Sequence, residues 1–157
     1  ILNDVGPFVP ADLNSAISER LRNMPNSFSS WDEAVTYNKE NFQSFGPMNE
    51  LQWDMFIRNG TRELGDGSFV TDFDPQIQLN IKGLATEDID LWHIYDAIKC
   101  PLLIIRGKTS QALLPEVAQE MTHRGPKAEL VEIPITGHAP HLMNDEQIAI
   151  VRDWLSK

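Results

Sequence analysis

The sequence has 157 residues, of which 41% are hydrophobic and 23% charged, and its formal net charge at pH 7 is −10. This length and composition are typical of a folded domain with a real core and exclude an intrinsically disordered chain. A negative charge of this size repels phosphate backbones and anionic lipids, so it argues against nucleic-acid and membrane partners.

The chain opens with Ile1-Leu2-Asn3-Asp4-Val5-Gly6-Pro7, an apolar strand end followed by a Gly-Pro turn. No methionine precedes this stretch. We therefore expect a chain that starts inside a β-strand, as after shortening or proteolysis of a longer protein.

A mainly helical region is predicted from residue 10 to about residue 95. The first helix, over 12–23, carries apolar residues at helical spacing. Ser30-Trp31-Asp32-Glu33 fits a capping box that opens a second helix, which runs to about Ser44. Three further elements are expected: a helix from about Pro47 to Asn59-Gly60, a strand stub at Phe69–Thr71, and a short helix from Thr86 to Tyr95.

The pattern changes after residue 97. Leu102–Ile105 is a continuous apolar run, which is typical of a parallel strand covered on both faces. Pro115 opens a helix, Leu130–Ile133 forms the next strand, and the last helix covers about 145–155. Alternating strands and helices with short links predict a βαβ unit, and hence an α/β fold with a parallel sheet.

Cys100 is the single cysteine and directly precedes the apolar run. We predict a buried, reduced thiol of a cytoplasmic protein rather than a catalytic one. No apolar run approaches the ~20 residues of a membrane span.

Chemistry in a parallel α/β sheet collects in the loops that leave the carboxyl ends of the strands. Three such loops are expected, at 3–8, 106–114 and 134–141. Their polar residues are Asp4 in the first, Arg106, Lys108 and Ser110 in the second, and His138 with His141 in the third. His138 follows a strand and lies between glycine and alanine, so it is the candidate general base.

The order of these motifs resembles that of the α/β hydrolases. Asn3-Asp4-Val5-Gly6-Pro7 is similar to the end of their sixth strand, Ile98–Gly107 to the seventh strand, and Gly137-His138-Ala139-Pro140 to the turn after the eighth. The resemblance implies three parts: the end of the sixth strand over 1–9, a helical cap over 10–97, and the C-terminal βαβα part of the core over 98–157.

The same resemblance implies a Ser–His–acid triad with His138 as its base. The nucleophile of such enzymes lies in a Gly-x-Ser-x-Gly elbow, and this pentapeptide does not occur in residues 1–157. The chain alone is therefore expected to be inactive. No cofactor and no metal is expected.

Two residues are candidates for the triad acid. The stretch after the seventh strand usually reads Arg-Gly-x-x-Ser-Asp in these hydrolases, whereas here Gln111 occupies the acid position. Some relatives place the acid at the end of the sixth strand, where Asp4 is a possible alternative. Asp4 is one residue out of phase with that position, and Asn3 matches it better. Side chains alternate along a strand, so a shift of one residue decides which face of the sheet the carboxylate reaches. A loop-capping role for Asp4 is therefore the competing interpretation.

The resulting hypothesis is part of a hydrolase that acts on esters or similar small carbonyl substrates. Two alternatives stay open. One is a non-catalytic small-molecule-binding relative, favoured by Gln111, and the other is dehalogenase or epoxide-hydrolase chemistry with an aspartate nucleophile. Besides a small-molecule substrate, the expected partner is a second copy in a homodimer or the missing N-terminal half, because a partial sheet leaves unpaired edges.

Overall fold

A computed structural model describes residues 1–74, 76 and 87–157. The chain divides into two compact units. The first, called the sheet unit here, consists of Ile1–Leu13, Ser44–Pro47 and Asp88–Lys157. The second, called the helical unit, consists of Asn14–Gln43 and Met48–Glu87.

The described strands, in chain order, are β1 (Leu2–Asn3), β2 (Phe8–Val9), β3 (Ser27–Phe28), β4 (Thr61–Glu63), β5 (Phe69–Thr71), β6 (Ile89–Asp90), β7 (Leu103–Gly107) and β8 (Glu129–Ile133). The described helices are α1 (Ala11–Asn23), α2 (Trp31–Asn41), α3 (Glu50–Gly60), α4 (Trp92–Asp96), α5 (Pro115–Met121) and α6 (Asp145–Leu155), with a 3-10 turn at Gln43–Phe45. Within these described residues no helix has the length and apolar character needed to cross a membrane.

The sheet unit is built on a parallel sheet with the strand order β1-β7-β8. Asn3 lies opposite Ile105, and Gly107 lies opposite Ile133. Because the three strands are parallel, the loops that follow them leave from the same edge of the sheet. A separate antiparallel pair joins β2 to β6.

The central strand β7 supplies the core on both faces of this sheet. Leu103, Ile104 and Ile105 are each completely buried. Alternation places Ile104 in one apolar cluster with α5 residues, and Leu103 and Ile105 in another with Ile133 and α6 residues. Burial of each such side chain stabilises the fold by roughly 1.5–3 kcal/mol. This double burial explains why the strand reads as an uninterrupted apolar run.

The helical unit packs α2 against α3 around Phe28, Ala34, Trp53 and Ile57. It also contains a small antiparallel sheet with the order β3-β5-β4, so the expectation of a region with only a strand stub at 69–71 was incomplete. The added strands have only two or three residues each, which is too short for period-2 alternation to be visible in the sequence.

The helix caps differ in part from the prediction. Ser30 caps α2 by accepting from Glu33 N, as predicted, but the Glu33 carboxylate accepts from Ser29 rather than from the cap residue. A complete capping box instead precedes α3, with Asn49 and Gln52 bonded reciprocally. The helix α2 also ends at Asn41 rather than near Ser44.

Two further predictions need correction. The segment predicted as one helix from Thr86 to Tyr95 contains β6 and α4, and Thr86 itself lies outside the described residues. Cys100 is exposed rather than buried, because it lies ahead of β7 and outside the sheet.

Candidate active site

The parallel sheet brings Asp4 and His138 into direct contact, although 134 residues separate them. Asp4 Oδ2 lies 2.9 Å from His138 Nδ1. The Asp4 side chain is completely buried, whereas the His138 side chain is 47% exposed. A buried carboxylate therefore faces one nitrogen of an imidazole whose ring is open to solvent.

The backbone of Asp4 explains how its carboxylate reaches this position. Its amide donates to Ile105 O at 2.7 Å, which continues the β1–β7 pairing by one bond. Its φ is +57°, however, so the residue has left the extended conformation. Alternation along a strand therefore no longer decides which way the side chain points. Aspartate is among the few non-glycine residues that adopt this left-handed region readily.

Asp4 also accepts two hydrogen bonds from the loop that follows β7. Gly107 N donates to Oδ1 at 2.9 Å, and the Ser110 hydroxyl donates to Oδ2 at 2.5 Å. With His138 Nδ1, three polar groups lie within hydrogen-bonding distance of the carboxylate. Donors such as Gly107 N and the Ser110 hydroxyl offset the cost of burying its charge. Asp4 thus caps a loop and contacts His138 at the same time.

The loop after β7 and the loop that carries His138 approach each other at Gly107. A Cβ atom at this position would lie 2.1 Å from Gly137 O and 2.6 Å from Thr136 O. Thr109 N donates to Thr136 O at 2.9 Å, which joins the two loops directly. Only glycine allows this approach of the two loops.

Ser44 supports the His138 loop from another part of the sheet unit. Gly137 N donates to Ser44 O at 2.5 Å, and the Ser44 hydroxyl donates to His138 O at 3.3 Å. Nothing in the local sequence around Ser44 indicated this role, because its partners are more than 90 residues away.

The buried Arg106 side chain fixes the course of the loop after β7. It is 2% exposed, and its guanidinium donates to the carbonyls of Leu113, Lys108 and Ser110. It also pairs with Glu132 at 2.6 Å. The sequence placed Arg106 among candidates for chemistry, but its donors are used within the fold. Lys108 is exposed and contributes its backbone.

Gln111 does not take the place of an acid beside His138. Its side chain is exposed, and no hydrogen bond joins it to the His138 ring in the described part of the chain.

His141 differs from His138 in its surroundings. Its Nδ1 accepts from Met143 N at 3.0 Å, and burial lowers the pKa of its imidazole. Its Nε2 is buried. His141 is therefore a neutral structural histidine.

Within the ranges 1–74 and 87–157, no group of three or more His, Cys, Asp or Glu side chains is arranged to hold a metal ion. The site that these ranges define is an acid–imidazole pair at the carboxyl edge of a parallel sheet. What it can do chemically is move a proton at the free imidazole nitrogen.

Comparison with known proteins identifies the fold. A 3-hydroxybutyrate-oligomer hydrolase of Cupriavidus necator is 31% identical over 164 residues, which cover 99% of this chain and 56% of that protein. A Rickettsia typhi structure, provisionally described as a hydrolase, matches with a TM-score of 0.86 at 31% identity, covering 99% of this chain and 52% of that one. No protein-family model matches the chain.

An α/β hydrolase from Novosphingobium aromaticivorans superimposes with a TM-score of 0.82 at 31% identity, covering 99% of this chain and 55% of that one. The chain therefore has the α/β-hydrolase fold, as its motif order indicated. It spans about half the length of the relatives that it matches.

Proposed function

We propose that Asp4 and His138 are the acid and the base of a serine hydrolase that cleaves esters. The observation that carries this proposal is the 2.9 Å contact between Asp4 Oδ2 and His138 Nδ1. A carboxylate at this nitrogen fixes the tautomer with the proton on Nδ1, which leaves Nε2 unprotonated and able to accept a proton.

The remaining geometry supports the same roles. His138 Nε2 makes no hydrogen bond to any described residue, and nearly half of the side chain is open to solvent. In the proposed reaction Nε2 takes the proton of the attacking serine hydroxyl and returns it to the leaving alkoxide. The buried Asp4 charge stabilises the imidazolium that forms between these two steps.

The nucleophile in this proposal is a serine outside residues 1–157, since these residues contain no Gly-x-Ser-x-Gly pentapeptide. The complete active site would then combine that serine with the pair described here. The chain of 157 residues should by itself hydrolyse no p-nitrophenyl ester above a denatured-protein control.

The substrate class follows from the chemistry of a relative. The Cupriavidus protein is named for hydrolysis of 3-hydroxybutyrate oligomers, whose units are joined by ester bonds. We propose short aliphatic esters, with oligoesters of hydroxy acids as the first to be tested. The alternative of a non-catalytic binding protein depended on Gln111, and it loses its main support once a carboxylate faces His138 from another strand.

The test uses the complete protein, with p-nitrophenyl butyrate and a 3-hydroxybutyrate dimer as substrates. His138→Ala should abolish turnover, and Gln111→Asp should change kcat by less than about threefold, because residue 111 does not contact the imidazole. A fluorophosphonate probe should label a serine in the complete protein.

Three results would contradict the proposal. A large rise in kcat on Gln111→Asp would show that the acid had simply been lost at residue 111. Activity without serine labelling would favour an aspartate nucleophile. No ester hydrolysis, and no effect of His138→Ala on binding or turnover, would favour the binding-protein alternative.

A further inference from the structure

The Ser110 hydroxyl occupies an unusual position behind the Asp4 carboxylate. Its side chain is 2% exposed, and its Oγ lies 2.5 Å from Asp4 Oδ2. The same oxygen accepts from Ala112 N at 3.0 Å and from Leu113 N at 3.3 Å. One hydroxyl therefore makes three hydrogen bonds inside the protein.

These bonds determine where the hydroxyl proton points. A serine oxygen has two lone pairs and one proton. Both lone pairs face backbone N–H donors, so the proton is directed to Asp4 Oδ2. The two amide donors also polarise the hydroxyl, which strengthens the bond that it donates. This arrangement fixes a single donor orientation toward the carboxylate.

The donated bond in turn limits how the carboxylate can rotate. Gly107 N holds Oδ1, while Ser110 and His138 share Oδ2. With one lone pair of Oδ2 taken by the hydroxyl, the other faces His138 Nδ1. Without Ser110, the carboxylate keeps only the Gly107 bond and the imidazole itself to set its rotation.

We propose that Ser110 is the positioning residue of the acid: its hydroxyl orients Asp4 toward His138 and so sets the tautomer and basicity of the imidazole. This inference rests on the proposed function of Asp4 and His138. In this proposal Asp4, at the end of β1, is the acid, and Ser110, in the loop after β7, is the residue that orients it.

The loop is built to hold this hydroxyl in place. Arg106 donates to Ser110 O and to the carbonyls on either side of it in the loop, so the backbone at Ser110 does not depend on the Asp4 contact. Replacing Ser110 by alanine removes the donor to Asp4 and also leaves Ala112 N and Leu113 N without the hydroxyl oxygen that accepts from them, while Arg106 should still hold the course of the loop.

The first experiment records NMR spectra of the 157-residue chain with labelled histidine. Removal of the hydroxyl in Ser110→Ala should weaken the downfield Nδ1–H resonance of His138 and shift its ring-nitrogen signals toward those of Asp4→Asn. Ser110→Thr, which keeps the hydroxyl, should retain both signals. Ser18→Ala is the matched control, because Ser18 is a buried serine of the helical unit at 3% exposure.

The second experiment measures ester hydrolysis by the complete protein. Loss of one hydrogen bond to a charged group should reduce kcat by about 10- to 100-fold in Ser110→Ala. KM should stay within about twofold, since the hydroxyl does not reach substrate, and Ser18→Ala should match the parent protein.

The outcomes separate the two proposals. If Asp4→Asn leaves the His138 resonances unchanged, the Asp4–His138 pair is wrong and the role of Ser110 fails with it. If Asp4→Asn changes them but a folded Ser110→Ala does not, the positioning role alone is overturned. A Ser110→Ala variant that loses stability and keeps the His138 resonances and kcat would show a merely structural serine.

Discussion

Replacement of Asp4 by asparagine should keep the fold and abolish most of the ester hydrolysis by the complete protein, because the change turns one carboxylate oxygen, an acceptor, into an NH₂ group, a donor. Asparagine tolerates the left-handed backbone at this position, where φ is +57°. Its Oδ1 can still accept from Gly107 N, but its NH₂ group then faces the Ser110 hydroxyl and His138 Nδ1.

Neither neighbour can accommodate that NH₂ group as it stands. The lone pairs of Ser110 Oγ already accept from two backbone amides. His138 can accept only if its proton moves from Nδ1 to Nε2, which is the wrong tautomer for a general base. Flipping the amide transfers the conflict to Gly107 N. A buried donor without an acceptor costs roughly 1–3 kcal/mol of stability.

The expected loss of activity is larger than the loss of stability. The same change in a serine triad lowers kcat by about 10⁴, which corresponds to about 5 kcal/mol of transition-state stabilisation. The assay is kcat for p-nitrophenyl butyrate in the complete protein, beside denaturant unfolding of the same variant. Nitrogen chemical shifts of His138 report the tautomer.

One result would refute this reasoning. If Asp4→Asn folds and keeps kcat within about tenfold of the parent protein, the Asp4 charge does not act on the imidazole. Activity that returns on cooling, as the variant refolds, would show that stability rather than tautomer had caused the loss.

Three further predictions follow from the described geometry. Gly107→Ala should lower the free energy of unfolding in urea by about 1–3 kcal/mol, because the added Cβ would overlap Gly137 O. Gly60→Ala is the control and should be close to neutral, because a Cβ added there meets no atom of the described residues within 4 Å. Burial lowers the pKa of the His141 imidazole from 6.5, so the unfolded chain binds a proton at a higher pH than the folded chain does. The free energy of unfolding should therefore fall as the pH drops below about 6.5. His141→Asn should remove this part of the pH dependence, and an unchanged pH dependence in that variant would contradict the stated cause. We also propose that the chain self-associates, or binds a separate nucleophile-bearing half, through the edge of β1 that pairs with no other described strand. Sedimentation at micromolar concentration tests this, and a stable 17.8 kDa monomer would contradict it.

The sequence predicted the parallel sheet because the cause of that sheet is local. The apolar run of β7 reflects burial on both faces, and Pro115 begins α5 as the pattern indicated. The same approach overlooked β3 and β4, whose two or three residues carry no periodic signal.

The candidate site was only partly predictable for a different reason. The glycine-flanked turn after a strand made His138 a candidate base, and its role stays a prediction. The position of Asp4 was obscured because a positive φ breaks the alternation rule, and nothing in the composition reveals a positive φ at aspartate. The Ser110 contact joins residues 106 positions apart, so no local pattern could reveal it.

The contacts of Arg106 bear on which substitutions the loop after β7 can accept during evolution. Its guanidinium holds the loop after β7 through the main-chain oxygens of Lys108, Ser110 and Leu113, so this part of the loop's support does not depend on the side chains at those positions. A position such as Gln111 can then be exchanged without altering the scaffold. If Asp4 is the acid as proposed, an acid could pass between the end of β7 and the end of β1 by substitutions at residues 111 and 4, while Arg106 keeps the loop between them in place.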